Sequence, residues 1–349
     1  MLASQCFRSR RCLALLTSVG VSLVVAPLAL AEDVPSYSFA GPVFGLAAAP
    51  DGSLLAADAG AGIVELRKAA GSLVVALPGV SDVAPIGRGN MWAITGIGEG
   101  DAAQKLFRVS RGSVREAADL WAFEVEMNPD GSEEPDSNPF DVAALTGGSA
   151  LVADAGANDL LIVDATGHID WIATLPVEPE STDNLKSLAG CPAGPPNFCN
   201  LPPVIPTQAV ATSVAIGPDG AYYVGELKGF PAPTGASRVW RIEPGTRHAE
   251  CGSSPACTVV ADGFTSIIDL AFGPDGMLYV VEFDEASWAA VEIFGNPTGG
   301  TVNACDPRSG SCFEVATDLP VPSAVAIDKD GTVYATINTL GGAQVIALP

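Results

Sequence analysis

A fifteen-residue unit occurs six times along this chain, and the repetition constrains the fold more than any other feature. Each copy has an apolar strand, a turn that contains Gly in every copy, and a second apolar strand. The copies are FGLAAAPDGSLLAAD (44–58), SDVAPIGRGNMWAIT (81–95), FDVAALTGGSALVAD (140–154), TSVAIGPDGAYYVGE (212–226), IDLAFGPDGMLYVVE (268–282) and SAVAIDKDGTVYATI (323–337). Successive copies begin 37 to 72 residues apart. A constant hairpin with connections of variable length is therefore the building block.

Two further strand patterns follow most copies, such as GIVELRKA and GSLVVALP after the first. Four antiparallel strands repeated six times are typical of a β-propeller. We therefore predict an all-β fold, a six-bladed β-propeller of four-stranded antiparallel blades formed by one domain, residues 32–349. The last copy has only one further strand, GAQVIALP, so we expect an N-terminal strand in PSYSFAG (35–41) to close the ring and remove exposed edges.

The first 31 residues have the pattern of an export signal. Arg8, Arg10 and Arg11 precede an apolar run over residues 12–26, and Ala29-Leu30-Ala31 offers a small-residue cleavage site. The arginines fit an ordinary signal and a twin-arginine signal about equally. We expect an exported protein, periplasmic or secreted, with no transmembrane segment after the signal is removed.

Charge and cysteine content narrow the possible partners. Removal of residues 1–31 leaves 14 basic and 40 acidic residues, a net charge of −26, which argues against nucleic-acid binding. Six cysteines remain in three close pairs, for which adjacent pairing is favoured among fifteen possible connectivities. These disulfide candidates are Cys191 with Cys199, Cys251 with Cys257, and Cys305 with Cys312. The first pair lies in a proline-rich insert at about residues 175–211. The chain has two histidines, which disfavours a zinc site of Cys and His ligands.

Acidic residues recur at two positions of the repeat. Two residues before the constant Ala of each copy stand Gly45, Asp82, Asp141, Ser213, Asp269 and Ala324. Since alternation places this position on the same side of the strand as the Ala, three carboxylates are expected around the channel mouth. Asp82, Asp141 and Asp269 are thus candidate metal ligands, with Ca2+ the favoured ion because it takes several oxygen ligands. The alternative interpretation is that they cap backbone amides or hydrate the channel.

The second acidic position lies at the end of the second strand, on the same face of the propeller. It is occupied by Asp58, Asp154, Glu226 and Glu282, which either contact a ligand or hold the following turn. Ser213, Phe230 and Trp288 complete the candidate ligand-binding face, although the two aromatic residues also suit a role as loop anchors. An acidic loop at 122–138 offers further oxygen ligands or a solvated surface.

The two histidines, His168 and His248, are expected on the opposite face from these acids. A nucleophile activated by histidine is therefore disfavoured at the channel, and no catalytic residue is assigned. Paired carboxylates remain able to do acid–base work.

Three segments resemble the ScyD/ScyE family, whose namesakes are encoded in scytonemin-biosynthesis clusters. They are DSNPFDVAALTGGSALVADAGANDLL (136–161), PTQAVATSVAIGPDGAYYVGELKGFPAPTGASRVWRI (206–242) and SIIDLAFGPDGMLYVVEF (266–283). The resemblance covers essentially the whole mature chain. It implies an exported NHL/TolB-like six-bladed propeller of poorly defined activity and supplies no catalytic residues.

Three functions remain open from the sequence. The first is a binding or scaffold propeller that presents its acidic channel face to a small molecule, a glycan or a protein. The second is a Ca2+-dependent hydrolase or lactonase, and the third an accessory factor in extracytoplasmic pigment or secondary-metabolite assembly. The fold by itself discriminates none of these, and the absence of histidine on the acidic face favours the first.

Overall fold

The six repeated hairpins form the inner strands of six antiparallel sheets, as the sequence predicts for a six-bladed β-propeller. This computed structural model describes residues 37–67 and 70–349 of the chain. The predicted export signal, residues 1–31, lies outside the described residues.

Each blade begins with its innermost strand. Blades 1 and 2 comprise β1 (Val43–Ala48), β2 (Leu54–Asp58), β3 (Gly62–Arg67) and β4 (Ala70–Ala76), then β5 (Val80–Gly87), β6 (Asn90–Thr95), β7 (Lys105–Ser110) and β8 (Ser113–Asp119). Helix α1 (Leu120–Met127) follows blade 2. Blade 3 comprises β9 (Pro139–Ala144), β10 (Ala150–Asp154), β11 (Asp159–Val163) and β12 (Ile169–Thr174). A 3-10 turn, Thr146–Gly148, joins β9 to β10.

The insert after blade 3 has its own small sheet and two short helices. These elements are β13 (Glu178–Ser181), α2 (Asp183–Leu188), α3 (Pro196–Cys199) and β14 (Val204–Thr207). A further helix, α4 (Trp288–Glu292), lies within blade 5. None of the helices that the structure describes is long and apolar enough to cross a membrane.

The remaining strands complete the ring. Blade 4 comprises β15 (Ala211–Ile216), β16 (Tyr222–Glu226), β17 (Ser237–Ile242) and β19 (Cys257–Phe264), and blade 5 comprises β20 (Ile267–Phe272), β21 (Leu278–Glu282), β22 (Gly300–Asp306) and β23 (Ser311–Leu319). Blade 6 comprises β24 (Ala324–Ile327), β25 (Val333–Ile337) and β26 (Gln344–Ala347). A short strand from the β17–β19 connection, β18 (Ala249–Glu250), pairs in parallel with β12 as a fifth strand of the blade 3 sheet.

The Pro-Asp-Gly turns are scaffolding, as their sequence indicates. Gly220 has a φ of +78°, which is unfavourable for a residue with a Cβ. The Asp219 carboxylate accepts a hydrogen bond from the Ala221 amide at 3.1 Å and so holds the turn closed.

Alternate residues of each inner strand face the two neighbouring blades. Val83 packs with Leu55 and Ala57 of blade 1, whereas Ala84 packs with Val142 of blade 3. Every copy has a large apolar residue followed by Ala. The two residues therefore pack against different neighbouring blades. Ala84 also lines the central channel, where a small side chain is needed.

Hydroxyl groups at the start of alternate inner strands donate hydrogen bonds to backbone carbonyls of the next blade. Ser81 Oγ donates to the Pro139 carbonyl at 3.0 Å, Thr212 Oγ1 donates to the Ile267 carbonyl at 2.7 Å, and Ser323 Oγ donates to the Val43 carbonyl at 2.6 Å. These contacts join blade 2 to 3, blade 4 to 5, and blade 6 to 1. The third contact closes the ring.

The N-terminal segment contributes to closure by packing. The described part of the sixth sheet has three strands, and Tyr37 and Phe39 lie in no strand. Both rings pack against a cluster that unites Leu46 and Leu66 of blade 1 with Tyr334 of blade 6. The expected N-terminal strand is thus described only from Tyr37 onward, and this part covers the junction without extending a ladder.

Substitution of Ser323 by Ala tests the closing contact. Because Ser323 is buried, the change leaves the Val43 carbonyl without this donor, which costs about 1–3 kcal/mol of unfolding free energy. We expect the melting temperature to fall by about 1–5 °C in thermal denaturation monitored by circular dichroism. Ser309→Ala in the exposed β22–β23 turn is the control and should melt like the wild type. An unchanged melting temperature for Ser323→Ala would contradict a closing role.

Candidate functional site

A cavity of about 250 Å³ lies along the axis and is lined by Asp82, Asp141 and Asp269. Each carboxylate accepts a hydrogen bond from a valine amide of another blade: Asp82 from Val142 at 3.0 Å, Asp141 from Val214 at 2.6 Å and Asp269 from Val325 at 2.7 Å. In each case the valine belongs to the next blade of the ring. One oxygen of each carboxylate thus caps an amide of the next blade, and the other oxygen of Asp269 also accepts from the Leu270 amide at 2.8 Å. The three aspartates therefore brace blade junctions.

The repeat position that holds these aspartates, two residues before the constant Ala, is tightly packed in the other blades too. A Cβ on Gly45 would lie 2.1 Å from Asp82 Oδ1, so the space next to blade 2 is already filled by that carboxylate. Ser213 is buried, and its hydroxyl has no hydrogen-bond partner among the described residues. Three members of this position therefore brace a blade junction, and the small residues Gly45, Ser213 and Ala324 occupy the other three.

The channel aspartates resist ionising together. Burial raises the pKa of Asp82 well above its ordinary value, and the charge and proximity of Asp141 add to the effect. Burial likewise raises the pKa of Asp141, and that of Asp269 rises through burial and the charge of Asp141. Burial and mutual repulsion of these carboxylates therefore oppose three simultaneous negative charges in the ring.

The channel cavity extends from the aspartates toward the Pro-Asp-Gly turns. Its lining includes residues at the far ends of the inner strands, such as Pro85 and Phe272, and none that precedes an aspartate. On the other side, the rings of Phe44 and Phe140 meet at 5.4 Å although they belong to blades 1 and 3. The two phenylalanines stand one residue before Gly45 and Asp141 in their strands, so aromatic rings lie on the side of the aspartates opposite the cavity.

Three of the four strand-end acids hold the segment that leads into the inner strand of their own blade. Asp58 accepts from the Ala40 and Gly41 amides, Asp154 from the Asn138 amide, and Glu282 from the Thr265 amide, at 2.6–2.8 Å. Burial raises the pKa of Asp154 to about 6 and that of Glu282 to about 7. These contacts are structural.

The fourth strand-end acid, Glu226, lies in a buried ionic network. It contacts Arg238 Nε at 2.5 Å and Lys228 Nζ at 3.2 Å, and Trp240 Nε1 donates to it at 3.1 Å. Glu178 of the insert contacts both bases, with Lys228 Nζ at 2.7 Å. Lys228 is fully buried, so the network fastens the insert to blade 4.

The inserts of blades 3, 4 and 5 pack together as one cap. Leu185, Ala232 and Ala289 form its apolar centre, and Asn184 Nδ2 donates to the Ala232 carbonyl at 2.7 Å and the Ala286 carbonyl at 3.1 Å. Trp288 anchors this cap, since its indole N–H donates to the Lys228 carbonyl at 2.9 Å. Phe230, by contrast, is 41% exposed.

Three disulfides join the adjacent cysteines as predicted. They are Cys191–Cys199, Cys251–Cys257 and Cys305–Cys312. The first holds α2 to α3 in the cap, and the third crosses from β22 to β23. Three disulfides are consistent with an oxidising compartment and hence with export.

A second cavity, of about 510 Å³, lies between blades 3 and 4. Its carboxylates come from three separate segments: Asp130 from the acidic loop, Glu178 from the insert and Glu250 from β18. Leu175, Pro176 and Val177 supply the apolar wall, together with Cys251. The size falls within the range of small-molecule sites.

The histidines lie apart from these cavities. His248 Nε2 is 2.7 Å from Asp170 Oδ1, and its ring stacks on Trp171 at 3.7 Å. Neither histidine side chain bonds a serine, threonine or cysteine in the part of the chain that the structure describes. Within residues 37–67 and 70–349, no three His, Cys, Asp or Glu side chains converge on one point as metal ligands.

The sequence singled out the repeat positions and missed the residues outside them. Glu178, Lys228 and Arg238 stand in no repeat position, and Glu250 reaches blade 3 only through β18. The LKGFP segment carries Lys228 in a left-handed conformation, φ +65°, which sequence spacing does not reveal. The acidic loop was the available signal for the second cavity.

Neither protein-family models nor curated proteins match this sequence. Solved structures show the same fold. A gluconolactonase from Xanthomonas campestris superposes with a TM-score of 0.55 at 12% identity, over 90% of this chain and 88% of that chain. Virginiamycin B lyase from Staphylococcus aureus gives 0.52 at 13%, over 90% and 88%. Regucalcin, a calcium-binding protein from Agrobacterium tumefaciens, gives 0.52 at 13%, over 89% and 92%. At these identities the likeness shows the six-bladed propeller fold alone.

The buried acids predict that stability falls as pH rises. Burial raises the pKa of Glu282 and Glu124 to about 7 and of Asp154 to about 6, so the folded chain binds more protons than the unfolded chain between about pH 4 and 7. Unfolding free energy therefore decreases with rising pH across this window. We expect the melting temperature in EDTA to be at least about 2 °C higher at pH 5.5 than at pH 8.

Surface acids have the opposite effect on unfolding free energy, but only at low pH. Hydrogen bonds from Ser53 and Arg67 lower the pKa of Asp51 to about 2, so its contribution is lost only in strong acid. A melting temperature that is flat or increases from pH 5.5 to pH 8 would contradict the buried-acid account.

Proposed function

We propose that this protein is an exported, non-catalytic binding propeller of the ScyD/ScyE type. Its ligand is a small organic cation that enters the 510 Å³ cavity between blades 3 and 4. The observation that carries the proposal is that two carboxylates without an ion pair among the described residues, Asp130 and Glu250, come from separate segments and line one cavity with an apolar wall. The proposal thus agrees with the binding function that the sequence favours. It differs in the location of the site, which we propose between blades 3 and 4 and not in the channel.

Charge supports a cationic ligand. The Glu250 carboxylate has no hydrogen bond or ion pair among the described residues, and no Lys or Arg lines the cavity. Asp130 is held by the Ser132 amide at 2.9 Å and by Asn158 Nδ2 at 3.1 Å, so its carboxylate is oriented without being neutralised. A protonated amine or amidine would offset these charges.

The apolar wall specifies the rest of the ligand. Leu175, Pro176 and Val177 line the cavity together with Cys251. Val177 is 57% exposed, so apolar surface is available there for burial by a ligand. The expected ligand is therefore an ammonium or amidinium head on a compact apolar body.

A matched pair of compounds tests the charge requirement. We expect benzamidinium and phenethylammonium to give binding heat with the mature protein in calorimetry, whereas benzamide and 2-phenylethanol give none. Glu250→Gln should weaken cation binding by about tenfold, which corresponds to about 1.4 kcal/mol. Glu314→Gln, an exposed acid on β23, is the control and should bind like the wild type.

Equal binding of charged and neutral compounds would refute the cation site. Binding of a glycan or a peptide that is insensitive to Glu250→Gln would place the ligand elsewhere. Higher salt should weaken the expected binding because the cavity carboxylates are partly screened.

The hydrolase alternative rests on fold likeness alone. The channel carboxylates brace blade junctions, and neither histidine stands beside a nucleophile in the described residues. We therefore expect no turnover of lactone or ester panels above buffer, with Ca2+ or with EDTA, in a spectrophotometric assay. Calcium-dependent turnover that is abolished by Asp141→Ala would instead establish a channel enzyme.

A role in extracytoplasmic pigment assembly stays a further alternative, implied by the ScyD/ScyE resemblance. No geometric feature favours this role over other ligands.

A further inference from the structure

Blade 3 pairs two acids where blade 4 pairs an acid with a base. Asp154 at the end of β10 lies opposite Asp159 at the start of β11. In blade 4, Glu226 occupies the same repeat position as Asp154 and contacts Arg238. The Asp154–Asp159 pair therefore lacks the positive charge that the fold supplies one blade further along.

Asp159 has no partner for either carboxylate oxygen among the described residues. It is fully buried, and both Oδ atoms lack a hydrogen bond, whereas Asp154 accepts bonds from Ser137 Oγ and from several amides. An isolated buried carboxylate is too costly to keep ionised in a protein interior. The site therefore requires either a proton or a cation.

A second buried acid with an unpartnered carboxylate oxygen comes from α1. Glu124 is 2% exposed, and its Oε1 has no hydrogen bond within the described part of the chain. Asn158, the residue before Asp159, donates from Nδ2 to Asp130 Oδ2 at 3.1 Å, which places the Asp130 carboxylate beside the start of β11. Burial raises the pKa of Asp159 well above its ordinary value, and the charges of Asp154, Glu124 and Asp130 raise it further. No Lys, Arg or His side chain of the described residues pairs with Glu124, Asp130 or Asp159 in an ion pair.

We propose that Asp159 and Glu124 bind a calcium ion between blade 3 and α1, with Asp130 as the third acid. Ca2+ is the fitting cation because it takes carboxylate, carbonyl and water oxygens in irregular geometry, whereas the surroundings offer no thiolate or imidazole among the described residues. In the described residues these side chains do not meet at one point as metal ligands, so calcium binding requires Glu124 and the acidic loop to turn toward Asp159. It would fasten the acidic loop to blade 3.

This site is distinct from the channel aspartates. In Asp82, Asp141 and Asp269 one carboxylate oxygen accepts a hydrogen bond from an amide of the next blade. Neither oxygen of Asp159 accepts a hydrogen bond from the described residues. The site also shares only Asp130 with the proposed ligand cavity. Calcium binding and amine binding are therefore separable by substitution.

Calorimetry with calcium chloride on the metal-stripped mature protein at pH 7.5 tests the proposal. We expect one ion per chain and a melting temperature that rises with calcium concentration. Asp159→Asn should weaken calcium binding at least tenfold. Because the substituted side chain is a neutral amide, this variant should melt in EDTA at the wild-type temperature or above it, which separates loss of binding from loss of fold.

Three further variants make the result decisive. Glu124→Gln should weaken binding as Asp159→Asn does, whereas Asp82→Asn and Glu250→Gln should retain wild-type affinity. Absence of calcium binding, or binding that survives both Asp159→Asn and Glu124→Gln, would overturn the proposal and leave Asp159 as a buried neutral acid. Calcium binding lost only in Asp82→Asn would assign the ion to the channel.

Discussion

The ring depends on hydrogen bonds from the first residues of one inner strand to the backbone of the next. Ser81 and Asp82 join blade 2 to blade 3, and Asp141, Thr212, Asp269 and Ser323 serve the following four junctions in turn. Inner strands of different blades share no ladder, so their polar backbone groups near the axis need side-chain partners. Only the junction of blades 1 and 2, among the described residues, uses Gly45 and close packing instead.

This requirement explains why the acidic residues of the repeat gave an ambiguous signal. A carboxylate that caps an amide and one that binds a ligand occur at the same spacing and beside the same apolar neighbours. The distinction depends on which second group comes within 3 Å, and that group is 56 to 73 residues away in the chain. The potential for binding lies instead where carboxylates have no such partner in the described structure, as at Glu250 and Asp159.

Blade number, strand order and the disulfide pairs were predictable from the sequence. They depend on local signals: period-two alternation, Gly in the turn and short Cys spacing. The second cavity was not predictable, because Glu178 and Glu250 reach it through β13 and β18, which lie outside the repeat. Lys228 was missed for the same reason, since a lone lysine in a loop usually indicates solvent exposure.

The strand β18 has a consequence for how far the ring can be divided. Blade 4 donates Ala249 and Glu250 to the outer edge of blade 3, and Cys251 and Cys257 fix that excursion to the start of β19. A segment ending after β12 would therefore leave an open edge, and a segment starting at β15 would carry an unpaired strand. Blades 3 and 4 form the smallest module that could be exchanged or transplanted intact, although the sequence repeats by single blades.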